Sequence, residues 1–81
     1  MSKSIFTPSY QFILQTLRQA RKKNGLTQLQ LAKKLKKTQS FICKIEKSER
    51  RLDIVEFLEI AHTLNIDTIS LIQKLKDKNL I

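Results

Sequence analysis

Eighty-one residues with sixteen Lys or Arg against seven Asp or Glu make one small basic domain of net charge +9, with one modest core and no room for a second fold. Hydrophobic residues are 41% of the chain, and one Gly with one Pro argues against both β-rich and disordered chains. Residues 1–51 hold thirteen Lys or Arg and two acids (net +11), whereas residues 52–81 hold three Lys and five acids (net −2), so the N-terminal part is the one that attracts polyanions.

The pattern predicts an all-α chain of five helices forming a single domain over residues 1–81. Residues 1–6 read as an extended arm. Thr7-Pro8 is a cap followed by Pro at the first helical position, and a helix runs from there to about Lys23 with Tyr10, Ile13, Leu14, Leu17, Ala20 and Arg21 facing inward. Asn24-Gly25 ends it, the Gly supplying a left-handed residue.

Thr27 and Gln30 form a Thr-x-x-Gln capping box for a second helix, whose buried face is Leu31, Ala32 and Leu35. Ala32 stands where a bulkier side chain would hold two helices apart. Lys36-Lys37 form a tight bend. Thr38 caps a third helix with Ile42 and Ile45 inward, and this helix opens on a row of polar side chains with no structural task. A pair of short helices in which one props the other, end-on toward a groove, suits insertion into DNA.

Residues 47–52 form a charged loop. Asp53-x-x-Glu56 caps a fourth helix carrying Ile54, Phe57, Leu58, Ala61 and Leu64 inward, and Asn65 ends it. Asp67 starts a fifth helix with Ile69, Leu71, Ile72 and Leu75, after which residues from about 76 to 81 form a frayed tail.

The order Leu17-Arg18…Ala20-Arg21, Gly25-Leu26-Thr27-Gln28, Leu31-Ala32, Leu35, Gln39-Ser40-Phe41-Ile42…Lys44-Ile45-Glu46, with Arg50-Arg51 and Phe57-Leu58…Ile60-Ala61…Leu64 beyond it, resembles the lambda-repressor-like DNA-binding domain of Cro/cI and XRE-type regulators. The resemblance implies a compact five-helix fold, with the helix-turn-helix at about residues 28–46, that binds operator DNA as a two-fold dimer.

It also implies roles. Gln28 matches a position that contacts a backbone phosphate at a helix N-terminus. Gln39, Ser40 and Lys44 match positions that reach base edges. Gln39 suits adenine N6 and N7, Lys44 suits guanine O6 or N7, and Ser40 suits either. Phe41, beside them, either packs on a thymine methyl or sugar or is half-buried against the arm or first helix. Lys36, Lys37, Lys47, Arg50 and Arg51 flank the groove-entering end as candidate phosphate contacts, with plain solubility as the alternative for each. Arg21 and Glu46 match a partly buried ion pair joining the first helix to the third. The bend and the following loop depart from the family at three positions. Lys36 replaces a common Gly, so it takes a positive φ at a cost of about 1 kcal/mol or the bend differs. Ser48 and Leu52 replace a Gly and a later Pro.

Catalysis is not expected, because His62 and Cys43 have no acid at a triad or metal spacing and the only glycine is Gly25. No cofactor or metal is expected. Residues 1–10 lack the apolar run of a secretory signal, and one Cys cannot form an internal disulfide, so the expected location is the cytoplasm, on the nucleoid. The expected partners are double-stranded DNA and a second copy, held through Ile69, Leu71, Leu80 and Ile81 unless these complete the core; no membrane is expected. The leading reading is a transcriptional regulator acting as a repressor. The alternatives are an antitoxin that also masks a toxin, and a protein-interaction module of the same fold.

Overall fold

The computed structural model describes residues 6–81, so the expected arm lies outside the described residues except for Phe6. Five helices follow in order: α1 Pro8–Lys23, α2 Gln28–Leu35, α3 Gln39–Glu46, α4 Ile54–Thr63 and α5 Thr68–Asp77. No strand occurs among the described residues, and none of their helices is long and apolar enough to cross a membrane.

Each helix starts on a side-chain cap. Thr7, Thr27, Thr38, Asp53 and Asp67 each accept a hydrogen bond from the backbone N–H three residues on, which satisfies a donor the helix cannot. Thr27 with Gln30 and Asp53 with Glu56 close full capping boxes.

The helix ends are equally uniform. Gly25, Lys36, Ser48, Asn65 and Asn79 all adopt positive φ, between 58° and 72°. The next N–H in each case reaches back five residues: Leu26 to Arg21 O at 3.1 Å, and Lys37 to Ala32, Glu49 to Lys44, Ile66 to Ala61 and Leu80 to Leu75 at 2.8 Å. This Schellman closure satisfies terminal carbonyls at the cost of one left-handed residue. Lys36 takes that conformation (φ 58°, ψ 40°), so the bend keeps its geometry without glycine. The same closure at Asn79 carries α5 to Asp77, two residues into the tail expected to fray, and leaves Leu80 half-buried.

α2 packs most closely on α3, α1 on α3 and α5, and α2 on α4. The core is Leu14 and Leu17 of α1, Leu31 and Ala32 of α2, Ile42 and Ile45 of α3, and Ile60 and Leu64 of α4. Ala32 and Ala61 are completely buried.

Two expected stripes are only partly buried. In α4 the inward residues are Phe57, Ile60, Ala61 and Leu64, while Ile54 and Leu58 are 67% and 48% exposed. Ile54 is the first residue of its helix, so taking it as the origin of the stripe carried that end of the assignment toward solvent. In α5 Leu71 and Leu75 are buried, but Ile69 and Ile72 are 79% and 47% exposed. Ile54 and Ile72 line an apolar groove of about 310 Å³ floored by Tyr10, Ile13, Phe57 and Leu71.

Candidate nucleic-acid interface

α3 has only eight residues, so it is oriented by what it buries and by what grips its ends. Ile42 and Ile45 enter the core one turn apart. The opposite face carries Gln39, Ser40 and Lys44, all exposed, and none of these side chains is bonded to another described residue. Their donors and acceptors are therefore available to an external partner. Cys43 is half-buried beside them.

The C-terminal end of α3 is gripped by α1 and α2. Arg21 Nε donates to Glu46 Oε2 at 2.7 Å and its Nη2 to Glu46 Oε1 at 3.1 Å. A third guanidinium donor, Nη1, reaches Leu26 O at 2.8 Å. Planar donor and planar acceptor fix their relative orientation as well as their distance. The side chains are 9% and 11% exposed, so solvent screens the pair little. This is the arrangement expected of Arg21 and Glu46.

Gln28, the first residue of α2, donates from Nε2 to Glu46 Oε1 at 3.0 Å. Its amide is thus aimed by Glu46 and keeps one N–H for another acceptor. Of the two acids in residues 1–51, Glu46 is bonded within this network and Glu49 lies exposed at the end of the α3 closure. The polar face of α3 therefore sits in a strongly positive field.

The charged residues around α3 are not equivalent. Lys36, Lys47 and Arg51 are exposed, with side chains bonded to no other described residue. Lys37 lies over the Phe41 ring, its Nζ 5.3 Å from the centroid. Arg50 is engaged instead of projecting free. Its Nη1 and Nη2 donate to Glu56 Oε1 and Oε2, each at 2.9 Å, Nη1 also reaches Arg51 O at 3.0 Å, and the guanidinium lies 4.7 Å from the Phe41 centroid. The Arg50 hydrogen bonds hold the Glu56 carboxyl below the usual carboxylate range; the Asp53 backbone N–H and the Arg50 and Lys37 charges add to this, and burial opposes it.

Two of these residues have internal partners. Arg50, read as a phosphate contact, sits in a forked ion pair between the α3–α4 loop and α4. Phe41, left open between a thymine methyl and burial, is half-buried against the core with two cations over its ring. It packs on the body of the domain; the arm lies outside the described residues.

Sequence reading missed the Arg50–Glu56 fork, the Gln28–Glu46 bond and the Tyr10 hydroxyl accepting from Leu52 N–H at 2.9 Å. Glu56 carried a usable signal: a capping-box carboxylate has a second oxygen, and an Arg stood six residues upstream.

A helix-turn-helix family model matches residues 17–71. The fold is similar to the XRE-family like protein from Pseudomonas syringae pv. tomato str. DC3000, with TM-score 0.83 and 39% identity over 95% of this chain and 94% of that one. No curated relative matches. The family match over residues 17–71 and 39% identity to that protein over 95% of this chain show that the chain belongs to the XRE-type helix-turn-helix family of DNA-binding regulators.

Proposed function

We propose that the protein is a sequence-specific transcriptional repressor that occupies operator DNA as a dimer. The observation that carries this reading is the face of α3 bearing Gln39, Ser40 and Lys44, polar and without internal partners, on a helix whose opposite side is anchored in the core. Gln39 and Ser40 lead the helix into the major groove, and Lys44 follows one turn later. Gln39 bonds adenine through two atoms, Lys44 donates to guanine O6 or N7, and Ser40 accepts or donates.

Phosphate contacts come from the Gln28 amide and from Lys36, Lys37, Lys47 and Arg51. The Gln28 contact sits at a helix N-terminus, where free N–H groups favour an anion. These contacts set register and carry the salt dependence.

The proposed dimer contact is the strip formed by Ile54, Leu58, Ile69 and Ile72. All four are exposed, and Ile54 and Ile72 meet at the groove rim. Leu71, expected in this role, is committed to the core at 3% exposure, and Leu80 is half-buried against α5. The strip lies in residues 52–81, of net charge −2, and away in sequence from the basic residues 1–51, which favours two copies meeting there. Recognition helices about 34 Å apart then read half-sites one duplex turn apart.

Selection of bound duplexes from a random library, followed by mobility shifts across salt, tests the function. The expected result is an enriched two-fold sequence bound far more tightly than random duplex, with both affinities falling as salt rises. Retention without any enriched sequence would refute it.

A further inference from the structure

We propose that Arg50 is a positioning residue for the reading edge of α3: with Glu56 it holds Phe41, and through Phe41 the first turn of the helix, its forked N–H groups given to Glu56 and not to phosphate. The inference rests on the DNA-reading function above and says how that edge is kept in register.

The two ends of α3 are held differently. The far end has the buried Arg21–Glu46 fork and the Gln28 bond. The near end, which carries Gln39 and Ser40, has the local Thr38 cap and the Phe41 ring. A cap fixes where a helix begins but not how it sits on its neighbours. Ile42 anchors that end in the core and Phe41, half-buried beside it, adds to the placement, its ring engaged by Arg50 and Lys37.

Arg50 is itself fixed from three sides. Glu56 accepts two of its N–H groups, and Glu56 Oε1 also accepts from the Asp53 N–H at 3.1 Å, which locks the carboxylate to the start of α4. The Arg51 carbonyl takes a further donation. The Arg50 backbone N–H bonds Lys44 O at 3.2 Å, in the turn that carries the last base-reading side chain. One residue therefore touches both ends of the reading face while facing a carboxylate. The Nη1 and Nη2 groups of the fork could turn to phosphate only by leaving that carboxylate, whereas Nε–H lies outside the fork.

Charge and position make opposite demands on Glu56. Glu56→Gln removes a negative charge, so electrostatics alone would tighten binding to every duplex. Gln still serves at the third position of a capping box, so α4 keeps its start. Positioning instead calls for lost discrimination, because a first turn that shifts loses two-point base contacts.

The experiment measures affinity for the selected duplex and for random duplex, across salt, on the full chain. For Glu56→Gln the expected result is a fall of about tenfold in the ratio of the two affinities, the scale of one lost two-point base contact, with random-duplex binding equal or tighter. Arg50→Gln is expected to lower the ratio with the salt slope unchanged, whereas Arg51→Ala lowers the slope by about 1 with the ratio kept. Phe41→Leu reproduces the Glu56→Gln result. Melting is followed for each variant, and should Glu56→Gln unfold, Arg50→Lys, which keeps the charge and loses the fork, carries the same test. A Glu56→Gln chain that discriminates as well as the wild type, or an Arg50→Gln chain that loses slope and keeps the ratio, overturns this inference alone. A wild type that reads no sequence overturns the function beneath it as well.

Discussion

Arg21 and Glu46 meet through two parallel hydrogen bonds across twenty-five residues of sequence, joining the last turn of α1 to the last residue of α3. Both side chains are largely shielded from water, so each depends on the other for compensation.

Glu46→Ala is therefore expected to destabilise the domain by roughly 3 kcal/mol, since it strands a buried guanidinium and frees the Gln28 amide. That is the low end of the range for a broken buried pair, because Arg21 keeps Leu26 O as an acceptor. Urea unfolding should show a lower midpoint, with stability falling further than affinity for random duplex. An unchanged midpoint would mean the fork contributes nothing to the fold.

Lys36→Gly separates stability from binding. Relief of the left-handed conformation is expected to stabilise by about 0.5 kcal/mol, the steric gain less the added freedom of the unfolded chain. Loss of a cation at the bend should weaken all duplexes alike. Thermal melting and salt-dependent mobility shifts should move in opposite senses; a lower Tm would refute the strain argument.

Lys44→Ala and Arg51→Ala should differ in kind. The first is expected to relax preference at one base position. The second should weaken every sequence and reduce the salt slope by about 1. Identical behaviour of the two would undo the division between base and phosphate contacts.

How far the sequence carried each of these features is uneven, and the reason is range. All five caps and the stops of α1 and α4 were legible, because each is set by residues within five positions of one another. The stripes of α1, α2 and α3 were legible for the same reason. The stops at Ser48 and Asn79 were not, since Ser48 is no glycine and Asn79 falls in the tail expected to fray. Part of the α4 stripe was not: Ile54 looks like core by composition, but it opens its helix beside a groove and is exposed, as is Leu58. The Arg21–Glu46 fork was reachable only through the resemblance, since nothing local joins two charges so far apart in sequence. The Arg50–Glu56 fork depends on the path of the loop between α3 and α4. That path is set by the left-handed Ser48, whose hydroxyl accepts from Gln11 Nε2 at 3.0 Å, and by Leu52 N–H on Tyr10.

Acid should weaken the link between that loop and α4. Glu56 has a lowered pKa in the folded chain, chiefly through Arg50. A lowered folded value means the stabilisation is present above the unfolded pKa, near 4.3, and is lost as pH falls through the folded value. The Tm difference between wild type and Glu56→Gln is thus expected to be largest near neutrality and to shrink from about pH 5 toward pH 3. A difference that stays flat across that window would show the carboxylate is not held by Arg50 in solution.

Ile69→Asp tests the proposed dimer strip with little disturbance to the fold. Ile69 is 79% exposed in the first turn of α5, where an acid suits the helix dipole. Sedimentation should show a monomer that melts like the wild type and binds a two-fold duplex without cooperativity. A wild type already monomeric at binding concentrations would place the contact elsewhere or remove it.

The left-handed stops have one consequence for how such a chain changes over time. Because α3 starts at Thr38 and halts at Ser48 by rules contained in that stretch, its outward letters are decoupled from the interior. Positions 39, 40 and 44 can be rewritten without renegotiating any packing. On the proposed reading of these three positions, a lineage carrying this scaffold would acquire a new target by altering three codons, and the architecture that aims them would stay as it was.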